Sequence, residues 1–131
     1  MIEHHAAVFD AIHARRSVRR YTDQPVDRGM IDAILDAATH APSAHNRQPW
    51  RFAVVTSHEA KARLASAMGE RLRADRLADG DSPDVVEVDV SRSRARITAA
   101  PVVVLACLTM GDMDQYPDAR RSDAERIMAV Q

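Results

Sequence analysis

The densest group of chemically capable side chains is the segment 15–21, RRSVRRY, which places four arginines around one serine. A guanidinium presents paired planar donors that match the oxygens of a phosphate, and a serine hydroxyl can add a further hydrogen bond. The segment therefore predicts an anion-binding site, with a solvated basic surface as the open alternative. A nucleic-acid interface is disfavoured because only 4% of the residues are aromatic, too few to build stacking platforms.

A second candidate segment, 41–52, reads APSAHNRQPWRF and combines small residues, amides and two prolines. Small side chains let a backbone approach a flat ligand closely, and the amides of Asn46 and Gln48 can pair with the donor and acceptor edge of a heterocycle. The same composition would suit a rigid connector in which Trp50 packs at the start of a strand. The segment by itself leaves both interpretations open.

Helices are predicted on either side of the basic segment. A first helix is expected over 3–15, and a second is expected from a cap at Asp27 to about His40, before Pro42. Apolar residues of the second helix share one face at the spacing i, i+3, i+4, i+7: Ile31, Ile34, Leu35 and Ala38. A strand over 50–56 then follows the second candidate segment.

The middle of the chain is expected to be a helical pair. An amphipathic helix is predicted over 59–77, with apolar residues at Leu64, Met68 and Leu72. Residues 85–90 alternate as in a half-buried strand, but Ser82 and Pro83 make a good helix start, so a second helix continuing to Ile97 is favoured.

The end of the chain is predicted to contain one strand and one helix. The apolar run 102–109 indicates a buried strand, in which Cys107 is expected to be a small core residue and not a nucleophile. Ser122 and Glu125 have the spacing of a capping box, which predicts a last helix that begins at Ser122.

Size and composition bound the possible functions. The 131 residues correspond to one domain, 1–131, and a net charge of −1 provides no overall field for nucleic acid or an anionic membrane. No apolar stretch approaches the roughly 20 residues of a membrane span, and no secretory signal is evident, so a soluble cytoplasmic protein is expected. The adjacent His4 and His5 and the other histidines share no ligand spacing, so no metal site is predicted.

Taken together, the motifs at 15–21 and 41–52 resemble those of the nitroreductase family of FMN enzymes in order, spacing and residue identity. The segment 116–125 is similar, within that family, to the flavin-binding C-terminal domain of the glutamate ligase that completes the deazaflavin coenzyme. The resemblance implies an α+β fold with a mixed sheet flanked by helices. It also implies an intertwined homodimer with FMN at the subunit interfaces.

The resemblance assigns roles to individual residues. The phosphate and the polar edge of the flavin ring would be held by Arg15, Arg16, Ser17 and Arg19, and the flavin would be reached from the partner subunit by Pro42, Ser43, Ala44 and Asn46. Gln48 and Arg71 match the family pattern less well. The implied reaction carries hydride from NAD(P)H to FMN and on to a nitroaromatic, quinone or similar acceptor, so the protein needs no catalytic acid, base, nucleophile or metal of its own.

Members of the family continue well beyond the position equivalent to Gln131. The resemblance therefore predicts that the chain is the amino-terminal portion of the family fold, incomplete at the C-terminus. Two alternatives to the leading function remain: an FMN-dependent reductase acting on the deazaflavin coenzyme or its precursor, and a non-catalytic truncated module for flavin binding or dimerisation.

Overall fold

The computed structural model describes residues 2–111, 114 and 116–130, and the side chains within 7–111, 114 and 116–127. The chain folds as an α+β structure, as predicted. Its elements are α1 (Ile2–Ala14), α2 (Arg28–Thr39), β1 (Trp50–Val55), α3 (His58–Ala78), α4 (Pro83–Ala99), β2 (Val103–Leu108) and α5 (Ala119–Val130).

The strands β1 and β2 pair in antiparallel register, with Trp50 opposite Leu108 and Val55 opposite Val103. The helices α3 and α4 connect them and form a helical hairpin, which reverses the chain at Gly80. Gly80 has φ 91°, a left-handed conformation that glycine adopts without a steric penalty. The hairpin therefore returns the chain so that the second strand runs back along the first.

The contact between α3 and α4 is made by small residues on one side and valines on the other. Ala65 and Gly69 of α3 are buried, and so are Val86 and Val90 of α4. The predicted amphipathic helix is present, but its apolar residues do not form the most buried stripe, since Met68 is 49% exposed and Leu64 and Leu72 are half-buried. Small side chains form the buried stripe because they allow the two helix backbones to approach each other closely.

A buried lysine links the start of α3 to the end of α4. Lys61 is only 6% exposed, and its Nζ donates a hydrogen bond of 2.6 Å to the carbonyl of Ala100, the residue that terminates α4. An ammonium group at a helix C-terminus satisfies an unpaired carbonyl and interacts favourably with the helix dipole. This contact fixes the point at which the chain leaves α4 for β2.

Most predicted helix boundaries are confirmed. Asp27 caps α2 by accepting a hydrogen bond from the N–H of Gly29, and Ser57 caps α3 by accepting from the N–H of Ala60. The ambiguous run 85–90 is helical, with Pro83 in the first turn of α4. Ser82 occupies the N-cap position of α4, although its side chain makes no capping hydrogen bond.

Two predictions about the end of the chain were wrong. Helix α5 begins at Ala119, because the carboxylate of Asp118 caps it by accepting a hydrogen bond from the N–H of Arg121, and Ser122 lies inside the helix. Cys107 is exposed. Only two strands pair within the described residues, so β2 has one strand neighbour, and Cys107 lies opposite the exposed Arg51.

The apolar surface is large compared with the core. The buried apolar residues of the described part are Ile31, Ala65, Val86, Val90 and Ala100. In contrast, large side chains of the first two helices are more than half exposed: Val8, Phe9, Ile12, Met30 and Ile34. None of the described helices combines the length and apolar character that crossing a bilayer requires.

The close approach of α3 and α4 yields a stability prediction. A Cβ atom at Gly69 would lie 3.0 Å from Cγ1 of Val90, so a larger side chain cannot be accommodated without moving α4. Gly69→Leu should lower the free energy of unfolding, since overpacking costs about 1–3 kcal/mol and exceeds the gain in helix propensity of about 0.8 kcal/mol. Urea denaturation measures the change.

The matched control is Ala67→Leu, which introduces the same side chain at an exposed position of the same helix. It should change the free energy of unfolding by less than about 0.5 kcal/mol. Equal effects of the two substitutions would contradict the close helix contact.

Ion pairs across the helical hairpin yield a second prediction. The guanidinium of Arg73 on α3 donates two hydrogen bonds to Glu87 on α4, at 2.9 and 3.0 Å, and lowers the pKa of Glu87 below its ordinary value of 4.5. A carboxylate with a lowered pKa in the folded state stabilises the fold above that ordinary value. The contribution is lost as the pH falls towards the lowered pKa.

Glu87→Gln should therefore destabilise the protein most at neutral pH, and the difference from the unsubstituted protein should vanish in acid. Thermal unfolding of both proteins from pH 7 to pH 3 measures this difference in stability. Glu59→Gln serves as the control, because Glu59 pairs with Arg63 on its own helix and links no two elements. A Glu87→Gln effect that is constant across the pH range would refute the assignment.

Candidate functional site

The basic segment 15–20 is an irregular stretch that follows α1 and precedes α2. All six side chains are exposed. The guanidinium of Arg16 donates to the carbonyls of His13 and Arg15, at 2.5 and 2.8 Å, and so satisfies carbonyls at the end of α1. Arg16 is thus directed back to the helix, whereas Arg15 and Arg19 have no side-chain hydrogen bond within the described residues.

The arginines of this segment differ from most of those on the helices. Many helical guanidinium groups form ion pairs with neighbouring carboxylates, as Arg28 does with Asp32 and Arg63 with Glu59, although Arg94 and Arg96 of α4 do not pair with any described carboxylate. Across the described part of the chain, none of the four arginines at 15, 16, 19 and 20 pairs with a carboxylate. Their charge is therefore available to an external anion, and the donor set fits a phosphate group.

The second candidate segment forms a tight loop between α2 and β1. Residues Ala44–Asn46 make one helical turn, and the N–H groups of Asn46 and Gln48 donate to the carbonyl and the hydroxyl of Ser43, at 2.9 and 3.0 Å. The hydroxyl of Ser43 thus accepts a bond inside the loop and keeps its proton for donation outwards.

The backbone of this loop is strained. His45, Asn46 and Gln48 have φ values of 53°, 52° and 50°, which place three non-glycine residues in the left-handed region. Each such residue costs of order 1 kcal/mol or more and persists only when surrounding contacts enforce it. Strain of this kind clusters at ligand-binding segments, which favours a binding role for the loop over the rigid-connector alternative.

Most of the loop side chains that were predicted to reach a ligand are exposed to solvent. Pro42, Ala44 and Asn46 are exposed, and Ser43 is half-buried. The two small residues leave the backbone accessible, and the Asn46 amide has no hydrogen-bond partner among the described residues. The surface of the loop can therefore lie against a flat heterocycle, with an amide available for its polar edge.

The contacts of the described residues do not join the two candidate segments within one chain. No hydrogen bond or ion pair of the described residues links 15–20 to 41–48. An open cavity of about 500 Å³ lies beside the basic segment. Its lining includes Arg20, Tyr21, Met30 and Pro101. A ligand that contacts both segments would therefore depend on contacts other than the hydrogen bonds and ion pairs of the described residues.

Two further predicted features take little part in the site. Arg71 forms an ion pair of 2.9 Å with Asp75 on its own helix and is exposed. The side chains of His4 and His5 lie outside the described residues, and the side chains that are described contain no group of three potential metal ligands.

Arg47 lies in the loop and received no predicted role. Its guanidinium donates a hydrogen bond of 2.7 Å to Asp114 and lies 3.8 Å from Glu125 of α5. The partners are 67 and 78 positions away along the chain. No local pattern connects residues at such separations, so the sequence contained no signal for this contact.

Comparisons with known proteins give a family match over most of the chain. A family model described as "Nitroreductase family" matches residues 12–131. A nitrobenzene nitroreductase of Ectopseudomonas oleovorans is 48% identical over 65 residues, covering 50% of this chain and 28% of that protein. An NADH dehydrogenase of Thermus thermophilus is 51% identical over 53 residues, covering 40% of this chain and 26% of that protein.

Solved structures extend the similarity over most of the chain. The crystal structure of a Desulfovibrio desulfuricans protein in complex with FMN has a TM-score of 0.59 and 25% identity, and the match covers 93% of this chain and 58% of that one. The matched segments cover only about a quarter of the length of the two curated relatives named above.

Proposed function

The chain belongs to the nitroreductase family, and from this premise we propose that the whole protein is an NAD(P)H-dependent FMN oxidoreductase. The observation that carries the proposal is the set of exposed arginines at 15, 16 and 19, which are free of carboxylate partners within the described residues and fit a phosphate. The FMN in the D. desulfuricans structure and the names of the two curated relatives support the cofactor and the reductant.

The cofactor would be held by residues from two segments. Arg15, Arg16, Ser17 and Arg19 bind the phosphate and the polar edge of the ring, and Pro42, Ser43, Ala44 and Asn46 approach the ring from the partner subunit. The exposure of these small residues and the free proton of the Ser43 hydroxyl suit that second role. Arg16 contributes from its position at the end of α1, where it already bonds to two carbonyls.

The chemistry supplied by bound FMN is hydride acceptance from NAD(P)H and electron transfer to a second substrate. The protein's own residues bind and orient the cofactor, and the cationic segment favours the negatively charged phosphate and reduced ring. The proposed acceptor is a nitroaromatic, a quinone or a related compound. A deazaflavin coenzyme or its precursor is the alternative acceptor, based on the segment 116–125. Because NAD(P)H is an intracellular compound, the proposal places the protein in the cytoplasm.

A homodimer is part of the proposal. Among the described residues, no hydrogen bond or ion pair joins the two proposed flavin-binding segments, and the helices that flank the basic segment carry exposed apolar side chains, including Phe9, Ile12 and Ile34. Burial of such side chains against a second copy would supply apolar contact area that the small core lacks. The same association would bring the loop of one subunit to the basic segment of the other.

The proposal is tested by purifying the full-length protein, recording its visible spectrum with added FMN, and adding NADH or NADPH without oxygen. We expect a bound-flavin spectrum that bleaches on addition of a reduced nicotinamide and recovers on addition of an acceptor. Rates with nitrobenzene, a quinone and a deazaflavin precursor distinguish the proposed acceptors. Bound flavin that neither nicotinamide reduces would instead support a non-catalytic module, and failure to take up FMN would exclude the cofactor site.

The role of the basic segment is tested separately by Arg15→Ala and Arg19→Ala. Each substitution removes charge-assisted hydrogen bonds to the phosphate, which contribute about 1.5–3 kcal/mol each, so the Kd for FMN should rise tenfold or more. Quenching of FMN fluorescence measures binding. Arg63→Ala removes an exposed arginine paired with Glu59 and should leave the Kd unchanged. If all three variants bind FMN equally, the segment is only a solvated basic surface.

A further inference from the structure

Arg47 is the inward-facing side chain of the strained loop. The neighbouring side chains of Ala44, His45, Asn46 and Gln48 are exposed, whereas the side chain of Arg47 is only 19% exposed. The carboxylate of Glu125, towards which it points, is 16% exposed. A guanidinium is rarely buried in this way unless carboxylates compensate for the loss of hydration.

Two carboxylates from the end of the chain surround this guanidinium. Asp114 accepts a hydrogen bond of 2.7 Å from one terminal nitrogen, and Glu125 lies 3.8 Å from the other. The second nitrogen, Nη1, is fully buried and has no hydrogen-bond partner. The guanidinium is therefore held between two acidic groups, and its side chain ties the loop to the segment 114–125.

The loop needs an anchor of this kind. The left-handed residues His45, Asn46 and Gln48 flank Arg47 on both sides, and their conformations persist only if outside contacts enforce them. The bonds made by Ser43 are internal to the loop, so they shape it but do not fix it to the rest of the protein. Among the described residues, Arg47 is the one side chain of 43–48 with a hydrogen bond or ion pair to a distant segment.

We infer that Arg47 is a positioning residue: its ion pairs with Asp114 and Glu125 hold the loop 43–48 in the conformation that presents Ala44 and Asn46 to the cofactor. The inference rests on the proposed function for the identity of the ligand. It adds that α5, although distant in sequence, determines the geometry of the cofactor-binding loop. Arg47 itself does not contact the cofactor.

The test compares Arg47→Gln, Arg47→Lys and Glu125→Gln in the full-length protein. Without FMN, hydrogen–deuterium exchange of the amides of 43–48 should be faster in Arg47→Gln. The Kd for FMN should rise by up to about tenfold, because the displaced loop loses the hydrogen bond of the Asn46 amide to the cofactor. Arg47→Lys should recover part of the affinity, because lysine keeps the positive charge but lacks the paired planar N–H donors of a guanidinium. At saturating FMN, the visible circular dichroism of the bound flavin should also change in Arg47→Gln.

A double substitution separates positioning from general destabilisation. If Arg47 acts through Glu125, combining Arg47→Gln with Glu125→Gln should raise the Kd no further than Arg47→Gln does alone. Arg28→Gln is the matched control, since it removes an arginine paired with Asp32 on the exposed surface of α2, and it should change neither exchange nor binding.

The outcomes distinguish the two proposals. Unchanged exchange of 43–48 in Arg47→Gln, or fully additive effects on the Kd, would overturn the positioning role. A flavin dichroism identical to that of the unsubstituted protein would overturn it as well. Failure of the unsubstituted protein to bind FMN would overturn the proposed function, and the exchange measurement would still decide whether Arg47 holds the loop.

Discussion

The close contact between α3 and α4 is the constraint from which the rest of the described structure follows. Because Ala65 and Gly69 carry little or no side chain, Val86 and Val90 can pack directly against the backbone of α3. The helices then run antiparallel over much of their length. The strands at their two outer ends are thereby brought side by side, and the antiparallel pairing of β1 and β2 is a consequence of the helical hairpin.

Polar contacts around this hairpin set its register. Lys61 ties the beginning of α3 to the last carbonyl of α4, and Arg76 pairs with both Asp81 in the turn and Asp89 on α4. Ion pairs at such partly exposed positions contribute little free energy, whereas the apolar contact contributes more but tolerates sliding. The charges therefore decide which turn of one helix lies beside which turn of the other.

Sequence patterns predicted the elements well and the contacts between elements poorly. Asp27 and Pro83 act within a few residues of their own positions, so the starts of α2 and α4 could be predicted from local chemistry. The buried face of α3 could not be predicted in this way. A large apolar residue such as Met68 suggests burial, but α4 packs against the small residues Ala65 and Gly69 instead. The prediction that Cys107 is buried was also wrong, because the burial of a strand residue depends on which elements cover the sheet, and this cannot be read from the strand's own sequence.

The candidate site shows the same division between local and distant determinants. The basic segment 15–20 was selected from residue types alone, and the structure adds that its side chains are exposed and lack carboxylate partners among the described residues, so its role as an anion site stays a prediction. The loop 41–48 is different, since its left-handed residues are held in place by a contact between Arg47 and groups 67 and 78 positions away. A short motif can thus specify which groups face a ligand while leaving their geometry to a helix elsewhere in the chain. It follows that two chains with the same loop sequence but different residues at 114 and 125 need not present the same surface to a ligand.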